Sequence, residues 1–310
     1  MSPKQAPSPD LSSQGEQALA AYENHLRHEA DLRPVTIRDY MSDLRLFMAW
    51  CERDWSEGQE EQVAFTPKQV ATPIITRYRD YLQNELGRKP ATINRYLISI
   101  KRYFGWAVEQ ELVLRDPASV VKHIPQTPRP PTHLSDKEES NLMAAVNASK
   151  KSRDRALIVL MLHTGLRVSE VCQLRWEDFV MGERSGRVSV KGKGNKYREV
   201  PLNSTVRQAI QEYQEDIDIS GEYVFVSQKT QKNLTARGLS FVVKKYAQKA
   251  GIPHLRPHDL RHRFGYRMAE RVPIHRLAQI MGHDSLDTTM IYIRGTQSDL
   301  QQAVESIAWE

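Results

Sequence analysis

Four prolines fall within eleven residues at HIPQTPRPPTH, positions 123–133. Each locks its own φ and removes a backbone donor, and each biases the residue before it toward extended backbone. Such a stretch suits neither a helix interior nor a central strand, so it reads as an extended linker between folded units. The 310 residues are thereby divided into two lengths, each sufficient to bury its own core. The expected organisation is a polar tail at 1–12, a helical unit at 13–122, the linker at 123–133, a second unit at 134–297 and a terminal segment at 298–310.

Before the linker, four segments repeat apolar residues at helical spacing. Ala18, Tyr22 and Leu26 mark one over 14–29, and Ile37, Tyr40, Leu44 and Phe47 mark a second over 35–53. A third is expected from about Pro67 through Ile74, Tyr78, Tyr81 and Leu82 to Leu86, with Gly87 as its stop. The fourth, 91–110, has Thr92 as the expected N-cap and Ile93, Tyr96, Leu97, Ile100 and Phe104 on its apolar face. The first unit therefore reads as a small all-helical bundle. Arg33 and Arg38 flank the start of its second helix, and Arg88, Lys89, Arg95, Lys101 and Arg102 flank or lie on the fourth. Such a stripe is either a solvated face or a contact for a phosphate backbone.

After the linker, Ser135 and Glu138 form a capping-box pattern, and RDRALIVLML (153–162) reads as a buried helix ending at Thr164-Gly165. Helix-forming residues resume near Ser169. GRVSVKGKGNKYREVPL (186–202) alternates around a Lys-Gly-Asn-Lys turn, which is the pattern of a β-hairpin with a basic tip. A short strand at Tyr223–Val226 would extend it. Helices are expected over 236–250, 259–270, 274–281, 287–293 and 298–308. The second unit is thus mainly α with a small antiparallel sheet.

Composition narrows the chemistry. No apolar run approaches the length of a membrane span, and the first dozen residues lack the apolar core of a signal peptide. Cys51 and Cys172 are far apart, with no paired spacing. They suggest a reducing, cytoplasmic setting and offer no zinc site. A net charge of +6 makes an anionic partner plausible. The chain has no GxxxxGK[ST] loop, HExxH, CxxC or GxSxG, so nucleotide hydrolysis, zinc hydrolysis and esterase chemistry lose their usual signatures. Gly192 and Gly194 lie in the basic hairpin, where they cannot form a dinucleotide-binding turn.

Cations and imidazoles instead gather at turns and helix starts. Arg167 follows His-Thr-Gly at the start of a helix, where local dipoles favour anions. Lys193 lies at the hairpin tip, with Lys191 and Lys196 beside it. In RPHDLRHRFGYRM, His258 and Arg261 are three apart on a helix that Pro257 helps to initiate, so one phosphate could meet both. His262 is four residues from His258 and shares much of its face, so periodicity does not choose between the two histidines. His283 follows a glycine at a turn, Asp287 is positioned to cap the next short helix, and Tyr292 ends that run.

In order, TGLRVSE, VKGKGNK, HDLRH, MGH and IY resemble the motifs of the tyrosine recombinases, in particular the Xer recombinases and phage-type integrases. The resemblance covers about 134–300 closely. The first unit resembles the family's helical, SAM-like core-binding domain in size and helix count. The resemblance implies that Arg167, Lys193, His258, Arg261, His283 and Tyr292 are catalytic, with Tyr292 the nucleophile. It implies attack on a DNA phosphodiester through a covalent 3′-phosphotyrosyl intermediate and release of a 5′-hydroxyl, with neither metal nor ATP. His258 would take the phenol proton, Lys193 would protonate the leaving oxygen, and the two arginines would stabilise charge on phosphate. His283 would meet a phosphate oxygen. The implied partners are double-stranded DNA with a specific core site, three further protomers in a tetramer over two duplexes, and accessory or directionality proteins. A non-cutting DNA-binding regulator, or a relaxing topoisomerase or hairpin resolvase, would carry related features. The segment 298–310 is expected as an amphipathic helix that contacts a neighbouring protomer. WEDFVMGERSG (176–186) is a little longer than is usual in Xer proteins, and Ile293-Arg294 stands where they often carry Thr-His.

Overall fold

The structure, a computed structural model, describes residues 9–126, 134–192, 197–217, 221–293 and 304–306. The chain forms two compact units that divide near residue 128.

The first unit is helical: α1 (Ser13–His28), α2 (Pro34–Ser56), α3 (Thr72–Asp80) and α4 (Pro90–Glu109). Ser12 caps α1, its hydroxyl accepting from the Gly15 amide. Pro34 and Pro90 occupy the first positions of α2 and α4, where the absent donor costs nothing and φ is already helical. Thr92 therefore lies inside α4, and Lys89, not Thr92, occupies the cap position. The single third helix expected over 67–86 is divided into a 3₁₀ turn at Pro67–Gln69, then α3, then a π turn at Tyr81–Glu85. Pro73 is the physical reason for the first break. It cannot donate to a preceding turn, so α3 starts afresh around it. Gly87, at φ +58°, ends the segment as its sequence position suggests.

Leu19, Tyr22, Phe47, Tyr78, Ile100, Tyr103 and Phe104 are among the core residues of this unit. The buried Glu52 carboxylate is satisfied by the Ser12 and Phe65 amides at 2.9 and 2.8 Å. Beyond α4, Asn94 exchanges two hydrogen bonds with the backbone of Ile124, at 2.9 and 2.8 Å. The first residues of the expected linker are thus pinned to α4, while 127–133 lie outside the described residues.

In the second unit, Ser135 and Glu138 close the capping box of α5 (Asp136–Asn147). The next helix, α6 (Ser152–Thr164), is buried nearly all round and is the central element of the core. It stops at Gly165, where φ is +62° and a Cβ would lie 2.4 Å from the Phe264 ring. Then follow α7 (Val168–Gln173), β1 (Phe179–Met181), β2 (Gly186–Lys191) and β3 (Tyr197–Pro201). The sheet runs β1-β2-β3, all antiparallel, with Val188 opposite both Phe179 and Val200.

Its third strand is β1, not Tyr223–Val226. The latter makes only isolated bridges, Tyr223 to Arg175 and Val226 to Asn233. The helix α8 (Ser204–Glu215) occupies a stretch to which the periodicity reading assigned no element. Asn203 caps it, and Val206, Ala209, Ile210 and Tyr213 form its buried stripe. The remaining helices are α9 (Ala236–Lys249), α10 (Pro257–Ala269), α11 (Ile274–Met281) and α12 (Asp287–Met290). Asp287 is the first residue of α12 and not its cap; the Ser285 hydroxyl accepts from the Asp287 amide at 3.1 Å. Of the helix expected over 298–308, only 304–306 are among the described residues.

Candidate active site

The site assembles where the ends of α6, α7, α10 and α11 meet β3. Arg167 stands at the cap position of α7, and Glu170 reaches back to accept from the Arg167 amide at 2.7 Å and from its Nη1 at 3.0 Å. The same carboxylate accepts two bonds from Arg198 of β3, at 2.8 and 2.9 Å. Burial opposes ionisation of Glu170, but Arg198 and then Arg167 outweigh it and hold the carboxyl below its usual range. Both arginines also reach the end of α11. Arg167 Nη2 donates to the Gly282 carbonyl at 2.5 Å, and Arg198 Nε donates to the Ile280 carbonyl at 2.9 Å. Glu170 and Arg198 are site residues that motif reading did not single out.

Arg261, on α10, is buried. Its guanidinium donates to the Gly165 carbonyl, to the Met281 carbonyl at 2.9 Å and to His283 Nε2 at 2.7 Å. Burial and the nearby Arg167 push its pKa down to about 10, which leaves it cationic at neutral pH. A guanidinium has only donors, so His283 Nε2 must accept and its Nδ1 carries the ring proton. That proton is directed at the Thr289 hydroxyl, 2.7 Å away. Burial, with Arg261, Arg167 and Arg198 adding to it, pushes the His283 pKa down to about 4, so the ring is neutral. Both ring nitrogens of His283 are thus engaged, Nε2 by Arg261 and Nδ1 by Thr289, and the ring braces the Arg261 guanidinium.

Tyr292 follows α12 and is 6% exposed. Its ring lies edge-on to Tyr266 at 5.3 Å and nearly parallel to His283 at 6.4 Å. It packs so closely on Gly265 that a Cβ there would be 2.6 Å from the ring, which accounts for a glycine inside α10. Burial raises the phenol pKa, and Arg261 and Arg167 pull against that rise. The hydroxyl lies 3.0 Å from Nδ1 of His262. The ambiguity that periodicity left between the two histidines is thus resolved by contact in favour of His262 as the neighbour of Tyr292. His258 is exposed and lines an open groove with Arg167, Ser240, Lys244, His254 and Arg256.

Lys193 and Lys196 lie outside the described residues, and Lys191 is exposed at the end of β2. In the first unit, Arg33, Arg88, Lys89 and Arg102 are exposed, and Arg38 is exposed beside Asp39 at 2.9 Å. Lys101 is half-buried and donates to the Ser119 carbonyl at 3.3 Å. Arg95 is exposed too, and its Nη1 donates to the buried Asp43 carboxylate at 2.5 and 2.6 Å. Among the described residues no group of three or more His, Cys, Asp or Glu could hold a metal ion, and no helix is long and apolar enough to cross a membrane.

A family model for the phage integrase family matches residues 132–298, and one for the phage integrase N-terminal SAM-like domain matches 19–111. Tyrosine recombinase XerD of Ralstonia nicotianae is 32% identical over 304 residues, covering 94% of this chain and 92% of the relative. Tyrosine recombinase XerC of Xanthomonas campestris pv. campestris is 28% identical over 279 residues, 89% of this chain and 83% of the relative. Among solved structures, the post-cleavage complex of XerH site-specific recombinase with a palindromic difH substrate has a TM-score of 0.73 at 22% identity, covering 95% of this chain and 85% of that one. A lambda integrase dimer bound to a core site has a TM-score of 0.67 at 17% identity, covering 87% and 95%. These structural likenesses concern the fold, and the sequence matches extend over nearly the whole chain. This chain belongs to the phage integrase family and is a tyrosine recombinase.

Proposed function

We propose that this protein recombines duplex DNA at a specific core site, with Tyr292 attacking the scissile phosphodiester to give a 3′-phosphotyrosyl bond and a free 5′-hydroxyl. The observation that carries the reading is the placement of the Tyr292 hydroxyl 3.0 Å from an imidazole, in the field of two arginines tied to one turn at Met281–Gly282.

The physical logic is charge management. A phenol with an ordinary pKa of about 10 is a weak nucleophile at neutral pH and must lose its proton as it attacks. Charge then builds on the nonbridging oxygens of phosphate. Arg167 and Arg261 are fixed donors that need no reorganisation to meet it, which is where preorganised groups contribute most. His258 lines the same open groove as Arg167, which supports assigning it a contact with the phosphate. Lys193 is assigned to protonate the leaving 5′-oxygen. The phosphotyrosyl bond conserves the cleaved linkage until another 5′-hydroxyl attacks it, so exchange needs no ATP.

Arg33, Arg38, Arg88, Lys89, Arg95, Lys101, Arg102, Lys191 and Lys196 are the proposed phosphate contacts. The reacting assembly is a tetramer on two duplexes, with 298–310 linking neighbouring protomers.

A nicked suicide duplex tests the reading. Wild-type protein accumulates an SDS-resistant adduct, and Tyr292→Phe binds the same DNA with similar affinity and accumulates none. An adduct with Tyr292→Phe would remove Tyr292 as nucleophile. Relaxation of supercoils without joint products from two marked duplexes would mark a topoisomerase or resolvase instead.

A further inference from the structure

We propose that His262, rather than His258, accepts the Tyr292 proton during cleavage and returns it on rejoining. The assignment rests on the tyrosine chemistry proposed above. His262 Nδ1 lies 3.0 Å from the phenolic oxygen, within the range for direct proton transfer. The two rings meet at 5.8 Å between centroids, tilted by 52°. His258 is one helical turn earlier on α10, exposed on the groove beside Arg167, so it faces the side from which a phosphate arrives. The two histidines therefore divide the work by depth: one at the substrate groove, the other at the buried nucleophile.

Burial sharpens the need for a local acceptor. Tyr292 is 6% exposed and its phenol is pushed up by desolvation, so bulk water is a poor sink for its proton. His283 cannot serve, since its Nε2 accepts from Arg261 and its Nδ1 bears a proton directed at Thr289. His262 acts in the tautomer protonated at Nε2, with the Nδ1 lone pair toward the hydroxyl. As the Tyr292 Oη–phosphorus bond forms and the phosphorus–O5′ bond breaks, the Oη–H proton passes to Nδ1. The leaving 5′-oxygen takes its proton from Lys193. On rejoining, an incoming 5′-hydroxyl attacks phosphorus, and Nδ1–H returns its proton to the departing Oη. No oxidant, reductant or metal enters the balance.

Single-turnover adduct formation on the nicked duplex tests this. His262→Ala and His262→Asn should each slow the step by about 10²-fold or more, with DNA affinity unchanged. Asn can hold the hydrogen bond but cannot take the proton, so it separates proton transfer from positioning and also guards against misfolding of the alanine variant. Added imidazole should recover part of the rate in His262→Ala, and replacing Tyr292 by a more acidic fluorotyrosine should shrink the deficit. A wild-type rate in His262→Asn would overturn the assignment. So would a slowed His262→Ala that neither imidazole nor fluorotyrosine helps, or cleavage faster than wild type, the mark of a latch. Loss of this assignment alone leaves Tyr292→Phe inactive; failure of the underlying reading would show as an adduct in Tyr292→Phe.

Discussion

His283 holds its place by giving up its charge. Its ring is desolvated by burial and lies near three arginines, one of which it accepts from, so protonation in the folded state is displaced from an ordinary value of 6.5 to about 4. The consequence for stability has a definite sign. Between about pH 6.5 and pH 4 the unfolded chain binds a proton at this residue that the folded chain refuses, so stability falls as pH falls through that window. The urea midpoint of the wild type should therefore drop more steeply between pH 7 and pH 4 than that of His283→Gln. Parallel curves would show that the ring is not held neutral by its neighbours. None of this is legible in Met-Gly-His, because the depression comes first from burial, which only the fold creates, and then from Arg261, Arg167 and Arg198, each distant in sequence. The same limit applied to His258 and His262. Spacing placed both on one face of α10, and only the return of the chain at Tyr292 separated their surroundings.

Among elements, the decisive tie is β3 to α7 and α11 through Arg198. Its side chain is 13% exposed and its partner Glu170 6%. A Cβ on Gly282 would lie 2.8 Å from the Arg198 guanidinium, so the glycine at φ +65° also makes room for the arginine. Arg198→Met leaves the Glu170 carboxylate buried with Arg167 as its remaining cation here. Removing one member of such a pair typically costs about 3–5 kcal/mol. Urea unfolding should show a loss of that order, and adding Glu170→Gln should recover part of it. Additive losses would mean the two residues are not coupled.

At this scale the sequence was readable where local chemistry decides. The Ser135–Glu138 box, the Gly165 stop and the β2–β3 hairpin all follow from short-range rules. The third helix of the first unit misled because its apolar spacing continues across Pro73 while its hydrogen bonding cannot. The stripe of α8 was legible in Val206, Ala209, Ile210 and Tyr213 but was masked by the hairpin before it. The tie from Arg198 was not legible, since an arginine in a strand pattern announces no partner.

Over the whole molecule, net charge of +6 is distributed unevenly in use. Arg102 is exposed, with its guanidinium 5.5 Å from the Tyr40 ring centre, whereas Arg95, on the same helix, is bound to Asp43. Burial raises the Asp43 pKa, and Ser99 and Arg95 oppose that rise. The two arginines should then fail differently. Arg102→Gln should leave stability near wild type and reduce the slope of log affinity against log salt by about 1. Arg95→Gln should lower stability, because Asp43 loses its cation. Equal salt slopes for Arg102→Gln and wild type would remove Arg102 from the phosphate contacts.

The sequence by itself determined the two-unit division near the proline stretch, the helical first unit, the small antiparallel sheet of the second, and the order of motifs that carries family membership. These rest on periodicity, proline and glycine geometry and fixed local spacings, all of which act within a few residues along the chain. Only the tertiary structure decided which histidine touches Tyr292, that Arg95 pairs with the buried Asp43, and that Glu170 and Arg198 bind the arginine cluster to the end of α11. Those outcomes depend on contacts between residues 28 to 115 positions apart. Side chains that meet only after the core has closed leave no periodic trace in the sequence.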